Sequence, residues 1–129
     1  MRKRLVLVSG ADRALLDRLS DLVLRAAADF GSAIVHTTSE TEDACLLLGT
    51  VRPDLVVLGV GAASADGGLI ARMLRQTPTL RKAPVLTYGP GDATPQPIGS
   101  WLGVPFADDA AVAEMRRLLE AGVRAPRQS

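Results

Sequence analysis

The sequence predicts a single α/β domain built on a doubly wound, five-stranded parallel sheet. Its 129 residues match the commonest size of one domain and can bury a core without disulfides or metals. Short apolar runs alternate with longer segments of helical spacing, which is the pattern of βαβ units. Apolar residues make up 47% of the chain and aromatic residues only 3%, so we expect an aliphatic core.

The first half of the chain predicts two strands and two helices. Residues 5–8 are a continuous aliphatic run, typical of a strand covered on both faces. Asp12 can cap the helix that follows. The apolar positions of that helix recur every three or four residues, at Leu15, Leu16, Leu19, Leu22, Val23 and Ala26. Residues 33–37 form a second strand, and a second helix opens within residues 39–42 and ends near Gly49.

Residues 55–60 are the most strand-like segment and the predicted centre of the sheet. The glycine-rich residues 61–68 are expected to form the exit loop of this strand. A third helix then follows and ends before Pro78. Its apolar stripe consists of Leu69, Ile70, Met73 and Leu74.

The last part of the chain predicts a fourth strand at residues 84–88, a fifth at residues 100–103 and a final helix. Residues 89–97 contain three prolines and two glycines, which exclude a regular helix there. The final helix has apolar residues on one side, at Val112, Met115, Leu118 and Leu119. We expect the domain to cover residues 1–122, and residues 123–129 to be a flexible tail or the start of a linker.

Charge and composition exclude several classes of function. Fifteen Lys and Arg against 14 Asp and Glu leave a net charge of +1, too small for a nucleic-acid surface. No apolar stretch approaches the length of a membrane span, and the run after Arg4 is too short for a signal peptide. The chain is therefore expected in the cytoplasm. A single Cys45 and a single His36 predict no metal site.

Several local motifs, in order and spacing, resemble the receiver domains of two-component response regulators over residues 3–121. Residues 53–58 resemble the central-strand signature of that family, and residues 84–87 resemble its fourth strand. Asp66 and Gly67 resemble the Asp-Gly pair that opens the third helix, and Pro105 and Phe106 the end of the Lys-Pro-Phe motif. The resemblance implies a CheY-like, flavodoxin-like fold with strand order 2-1-3-4-5, and a protein in bacterial signal transduction.

The same resemblance implies a degenerate phosphorylation pocket. The acidic pair that holds magnesium in the family corresponds to Ser9 and Gly10, and the phosphoacceptor aspartate corresponds to Gly59. The lysine of the family corresponds to Val104. Of the set, only the hydroxyl is retained, at Thr87, and its ordinary role would be to bond nearby backbone. No catalytic residue, metal or cofactor is expected.

The face used for signalling is predicted to differ from that of the family. The proline-rich segment implies that the family's fourth helix is shortened or absent. Trp101, three residues before Val104, matches an aromatic position that moves between inward and outward orientations in the family. The candidate residues of this face are Tyr88, Trp101, Pro105 and Phe106.

Three functions follow from these observations. The first is a pseudo-receiver, a binding module for a protein partner such as a regulator or output domain, with a homodimer left open. The second is a sensor of a small ligand or anion at the C-terminal edge of the sheet, suggested by open glycine backbone around Gly59, Gly61 and Gly68. The third is a phosphorylated regulator that uses Asp12 or Asp66 as the acceptor.

Overall fold

Five strands and four helices follow one another in the part of the chain that the structure describes. The computed structural model describes residues 4–50, 52–59, 67–77, 83–90, 100–104 and 106–124. The strands are β1 (Arg4–Ser9), β2 (Ala33–Thr38), β3 (Leu55–Gly59), β4 (Val85–Pro90) and β5 (Ser100–Val104). The helices are α1 (Arg13–Ala27), α2 (Thr41–Thr50), α3 (Gly67–Gln76) and α4 (Asp108–Arg124), and a short 3-10 turn, Ala28–Phe30, follows α1.

The strands form one parallel sheet with the order β2-β1-β3-β4-β5. All five residues of β3 are buried, as expected for the central strand of a sheet covered on both faces. The predicted fold class and strand order are confirmed. Because all strands run the same way, their carboxyl ends meet at one edge, where open α/β sheets bind ligands.

The two faces of the sheet are covered by different pairs of helices. Helices α1 and α4 pack on one face, against side chains that include Val6, Val8 and Val57. Helices α2 and α3 pack on the other face, against Leu7 and Leu58. Successive side chains of a strand therefore enter different cores, as the two-residue strand period requires. No helix within the described residues is long and apolar enough to cross a bilayer.

Several boundaries differ from the sequence predictions, and three of them differ by two residues. Strand β4 continues through Gly89 and Pro90, which pair with Gly103 and Val104 of β5, so these two residues belong to the sheet and not to the proline-rich segment. Helix α3 begins at Gly67, so Gly67 and Gly68 belong to its first turn and not to the exit loop. A helical start has unpaired backbone N–H groups in any case, so glycine is tolerated there. Helix α4 ends at Arg124, two residues beyond the expected domain end.

The crossover from β4 to β5 is short. Only residues 91–99 connect the two parallel strands, whereas such a connection usually takes a dozen or more residues. The prediction that the family's fourth helix is shortened or absent falls on this connection. Residues 91–99 lie outside the described residues.

Candidate functional site

The C-terminal edge of the sheet brings together most of the predicted pocket positions. Ser9 is the last residue of β1, Gly59 the last of β3 and Val104 the last of β5. Gly10 follows Ser9 directly and is buried. Thr87 lies inside β4, three residues before its end, because the strand continues beyond the predicted residues 84–88.

The end of β1 carries no carboxylate. The Gly10 N–H donates to the carbonyl of Thr38 on β2 at 3.2 Å. The only hydrogen-bond donor of Gly10 is therefore already bonded to the neighbouring strand. Ser9 is 1% exposed, and its hydroxyl has no hydrogen-bond partner. Hard cations prefer carboxylate oxygens, so these two positions offer magnesium no anchor.

Tyr88 connects two strands that are not neighbours. Its side chain is fully buried in the core between the sheet and helices α1 and α4. Its hydroxyl donates to the carbonyl of Ser9 at 3.0 Å. Strand β3 lies between β4 and β1, so this bond spans two strand spacings, roughly 9–10 Å. The ring must therefore cross β3.

Gly59 is the residue of β3 over which the Tyr88 ring crosses. The two are direct register partners across the β3–β4 pair. Leu55 and Val57 face the α1/α4 core, so the strand period directs position 59 to the same face as Tyr88. A side chain at position 59 would occupy the space of the ring, and glycine leaves that space open. The tyrosine of the next strand thus lies beside Gly59 at this edge of the sheet.

Sequence reasoning placed Tyr88 on a signalling face, and the structure corrects that assignment because the residue is buried. The sequence did contain a feature that indicates the contact between Tyr88 and Gly59. The only tyrosine of the chain lies on the strand next to a strand-end glycine, and large aromatics often cover a glycine on a neighbouring strand. Recognising the pair required the register of β3 against β4, which periodicity alone does not provide.

Burial keeps the Tyr88 phenol protonated. Removal from water is the main cause that raises the pKa of Tyr88, and the negative charge of Asp12 raises it further. A phenol that retains its proton remains a hydrogen-bond donor to Ser9 at any ordinary pH. Asp12 itself caps α1, because its Oδ1 accepts the N–H of Leu15 at 3.2 Å, which confirms the predicted cap.

Thr87 is engaged in the contact between β4 and β5. The residue is 2% exposed, and its hydroxyl donates to the carbonyl of Ser100 at 2.9 Å. A bond to backbone close by in the chain was expected for this hydroxyl, and the observed acceptor is backbone of the neighbouring strand, 13 residues away. The hydroxyls of Thr87 and Tyr88 therefore both bond carbonyl groups of other strands.

The remaining predicted residues lie around β5. Val104 is half-buried and packs against the α1/α4 core. Phe106 is half-buried, and the Arg18 guanidinium of α1 lies 4.4 Å from the centre of its ring. Arg18 also donates to the carbonyl of Phe106 and to Asp108, each at 2.8 Å, so this clamp joins α1 to the start of α4. The Trp101 side chain and Pro105 lie outside the described residues.

The chemistry of this edge is limited in the part of the chain that the structure describes. No group of three His, Cys, Asp or Glu side chains there could hold a metal ion. Asp12 is the nearby carboxylate and caps a helix, while Asp66 lies outside the described residues. The edge combines glycine backbone, two hydroxyls bonded to carbonyls and one unpartnered serine hydroxyl.

Comparison with known proteins identifies this architecture. No protein-family model matches the chain, and no curated protein sequence matches it. Solved structures do match. The signal receiver domain of a signal transduction histidine kinase from Syntrophus aciditrophicus has a TM-score of 0.76 and 20% identity, with 98% of this chain and 96% of that chain covered.

Two further structures match equally well in shape. The signal receiver domain of a DNA-binding response regulator from Colwellia psychrerythraea 34H has a TM-score of 0.74 and 21% identity, with 92% of this chain and 99% of that chain covered. The phosphorylated response regulator RcpA of a cyanobacterial phytochrome has a TM-score of 0.74 and 14% identity, with 98% of each chain covered. The chain therefore has the fold of response-regulator receiver domains.

Proposed function

We propose that the chain is a pseudo-receiver, a receiver-like domain of bacterial two-component signalling that takes up no phosphate and acts by binding a protein. The observation that carries this proposal is the hydrogen bond from Tyr88 to Ser9, which crosses β3 at Gly59. Phosphoryl uptake requires a carboxylate nucleophile, and glycine has none. The tyrosine ring also takes the space in which such a carboxylate would stand.

The proposed protein stays in one conformation. A switch requires two states of similar free energy. Here the hydroxyl of Tyr88 has a buried carbonyl acceptor, and that of Thr87 has a partly buried one. Moving either side chain would break its hydrogen bond and leave the carbonyl partner unsatisfied. A partner would then recognise the domain constitutively. We place the domain in the cytoplasm and assign it no enzymatic activity of its own.

Phosphorylation by acetyl phosphate tests the proposal. The chain is incubated with acetyl phosphate and magnesium, and its mass is measured beside that of an orthodox receiver domain under the same conditions. We expect the mass of one phosphoryl group on the orthodox domain and none on this chain. A phosphoryl group on this chain that hydroxylamine removes would contradict the proposal, and its loss in Asp12→Asn or Asp66→Asn would identify the acceptor.

A sensor of a small anion is the second candidate, and the unpartnered hydroxyl of Ser9 favours it. Buried polar groups normally have a partner, and this one lies at the edge where open α/β sheets bind ligands. Titration with inorganic phosphate and with beryllofluoride plus magnesium, followed by the amide spectra of Ser9 and Gly10, separates the candidates. Saturable shifts with phosphate alone favour the sensor. Shifts that need both beryllofluoride and magnesium favour a phosphorylated regulator.

A further inference from the structure

A groove lies between helix α2 and the edge strand β2, on the opposite side of the sheet from β5. One face of α2 lines it, formed by residues spaced three and four apart. The strand contributes the remaining walls. The six lining residues are Thr37, Thr38, Asp43, Leu46, Leu47 and Thr50, and they enclose about 460 Å³. We call this feature the α2 groove.

Leu46 gives the α2 groove an apolar surface that faces solvent. Its side chain is 68% exposed, the largest value for any large apolar residue that the structure describes. Ala44 and Leu48 of the same helix are buried against the sheet, so the core does not require Leu46. Ile34, on the neighbouring strand, is also exposed. Ile34 does not line the groove, but Leu46 and Leu47 do, and exposed apolar side chains at a concave surface are typical of a binding site.

The strand beside the groove has a free edge. Strand β2 is the outermost strand of the described sheet and pairs with β1 over its whole length. The N–H of Arg4 donates to the carbonyl of Ser32, and that of Gly10 donates to the carbonyl of Thr38, so the even-numbered residues bond β1. The alternation of a parallel ladder then directs the N–H and C=O groups of Ala33, Val35 and Thr37 outward.

The groove is negatively charged at one end. Glu40, Glu42 and Asp43 are exposed, and none of them forms an ion pair with another described residue. Residues 37–50 contain no Lys or Arg. Glu42 and Asp43 lie in the first turn of α2, where they also interact favourably with the helix dipole. A cationic partner would complement this end of the groove.

We propose that the α2 groove and the outer edge of β2 bind an extended segment of a partner protein by strand addition. The backbone of the segment would pair with Ala33, Val35 and Thr37, and alternate aliphatic side chains would contact Leu46 and Leu47. A Lys or Arg at one end would lie beside the carboxylates. The α2 groove would be the surface for the protein binding proposed above. It lies on the α2 side of the sheet, whereas Tyr88 lies on the α1/α4 side.

Selection from a display library of short random peptides tests this surface. The wild-type chain is the bait, and the selected peptides are then measured against two variants. Leu46→Lys alters the groove, and Leu24→Lys adds the same charge at an exposed leucine of α1, 48% exposed. We expect peptides that combine alternate aliphatic residues with Lys or Arg. Leu46→Lys should weaken their binding about tenfold or more, and Leu24→Lys should leave it unchanged.

Hydrogen exchange gives a second readout. Bound peptide should slow exchange at the amides of Ala33, Val35 and Thr37, whereas the alternate amides that already bond β1 should change little. Peptides that bind Leu46→Lys and wild type equally, or a selection without this composition, would overturn the inference. Protection of the same amides at high protein concentration without peptide, together with a doubled mass in sedimentation, would also overturn it in favour of a second copy.

The two proposals fail separately. Uptake of phosphate by a chain that still selects the expected peptides would refute the pseudo-receiver and leave the groove as a binding site. A chain that takes up no phosphate and selects no such peptide would refute only the groove.

Discussion

Replacing Gly59 by alanine should destabilise the wild-type chain and stabilise a chain in which Tyr88 is alanine. The reason is the crossing of β3 by the Tyr88 ring at the register partner of that residue, on the face to which a Cβ at position 59 would point. In the wild-type chain the added methyl group meets the ring. In the Tyr88→Ala chain it enters the space that the ring has left.

Two opposing terms set the magnitude. An extra methyl group in a packed core costs about 1–3 kcal/mol. Alanine in place of glycine within a strand stabilises by about 0.5–1 kcal/mol, because the unfolded chain loses less entropy on folding. The wild-type chain should therefore lose about 0–2.5 kcal/mol, since the cost of overpacking equals or exceeds the entropic gain. The Tyr88→Ala chain should gain about 0.5–1 kcal/mol, since only the entropic gain remains.

Urea unfolding followed by circular dichroism measures all four free energies of unfolding. Tyr88→Ala by itself should cost about 3–5 kcal/mol, which a domain of ordinary stability, about 5–15 kcal/mol, tolerates. Gly49→Ala is the matched control, because a Cβ at that position of α2 meets nothing within 4 Å. It should stabilise both backgrounds equally, by about 1 kcal/mol or less.

The difference between the effects of Gly59→Ala in the two backgrounds decides the matter. If the change in free energy of unfolding is the same in both backgrounds, within about 0.5 kcal/mol, the two positions are not coupled. The ring would then not lie over Gly59, and the filled acceptor position that carries the proposed function would lose its structural basis.

Two further predictions concern the same core and its edge. Because the pKa of the Tyr88 phenol is raised in the folded chain and about 10 in the unfolded chain, folding retains a proton that unfolding releases. The contribution of the Tyr88 phenol to the free energy of unfolding is therefore fully present below pH 10. Above pH 10 this contribution should fall by about 1.4 kcal/mol per pH unit. The Tyr88→Phe chain should not show this fall in stability. Tyrosinate absorbance in the folded chain, below the pH at which it unfolds, would contradict the raised pKa of Tyr88. Arg18→Ala removes the contacts with Phe106 and Asp108, so it should cost about 1–2 kcal/mol. Arg18→Lys should retain part of the stability that Arg18→Ala loses. A melting temperature unchanged by Arg18→Ala would show that the contacts of Arg18 contribute nothing to stability.

Much of the site region could be predicted from the sequence. The apolar run predicted a strand over residues 55–60, and β3 covers Leu55–Gly59. Asp12 was predicted to cap the helix that it does cap. Thr87 was expected to bond backbone close by in the chain, but its hydroxyl bonds backbone of the neighbouring strand, at Ser100. The role of Tyr88 was missed because it depends on the register between β3 and β4, which a local pattern does not contain.

The different exposure of the three consecutive leucines in α2, which forms the groove, also could not be predicted from the sequence. Leu46, Leu47 and Leu48 are equivalent in composition, yet Leu48 is 4% exposed, Leu47 is half-buried and Leu46 is 68% exposed. Helical spacing assigns the three to different faces of α2. Which of those faces meets the sheet depends on how the helix packs against its neighbours.

The sequence by itself determined the number, type and order of the elements, because each depends on hydrophobic period and turn residues within a few positions. It also determined that no carboxylate stands at Ser9, Gly10 or Gly59. The tertiary structure alone decided that Tyr88 crosses β3 to reach Ser9, that β4 extends to Pro90 and that Leu46 remains in solvent. These features join residues distant in the chain, and their free energies depend on register and packing that exist only when the sheet is assembled.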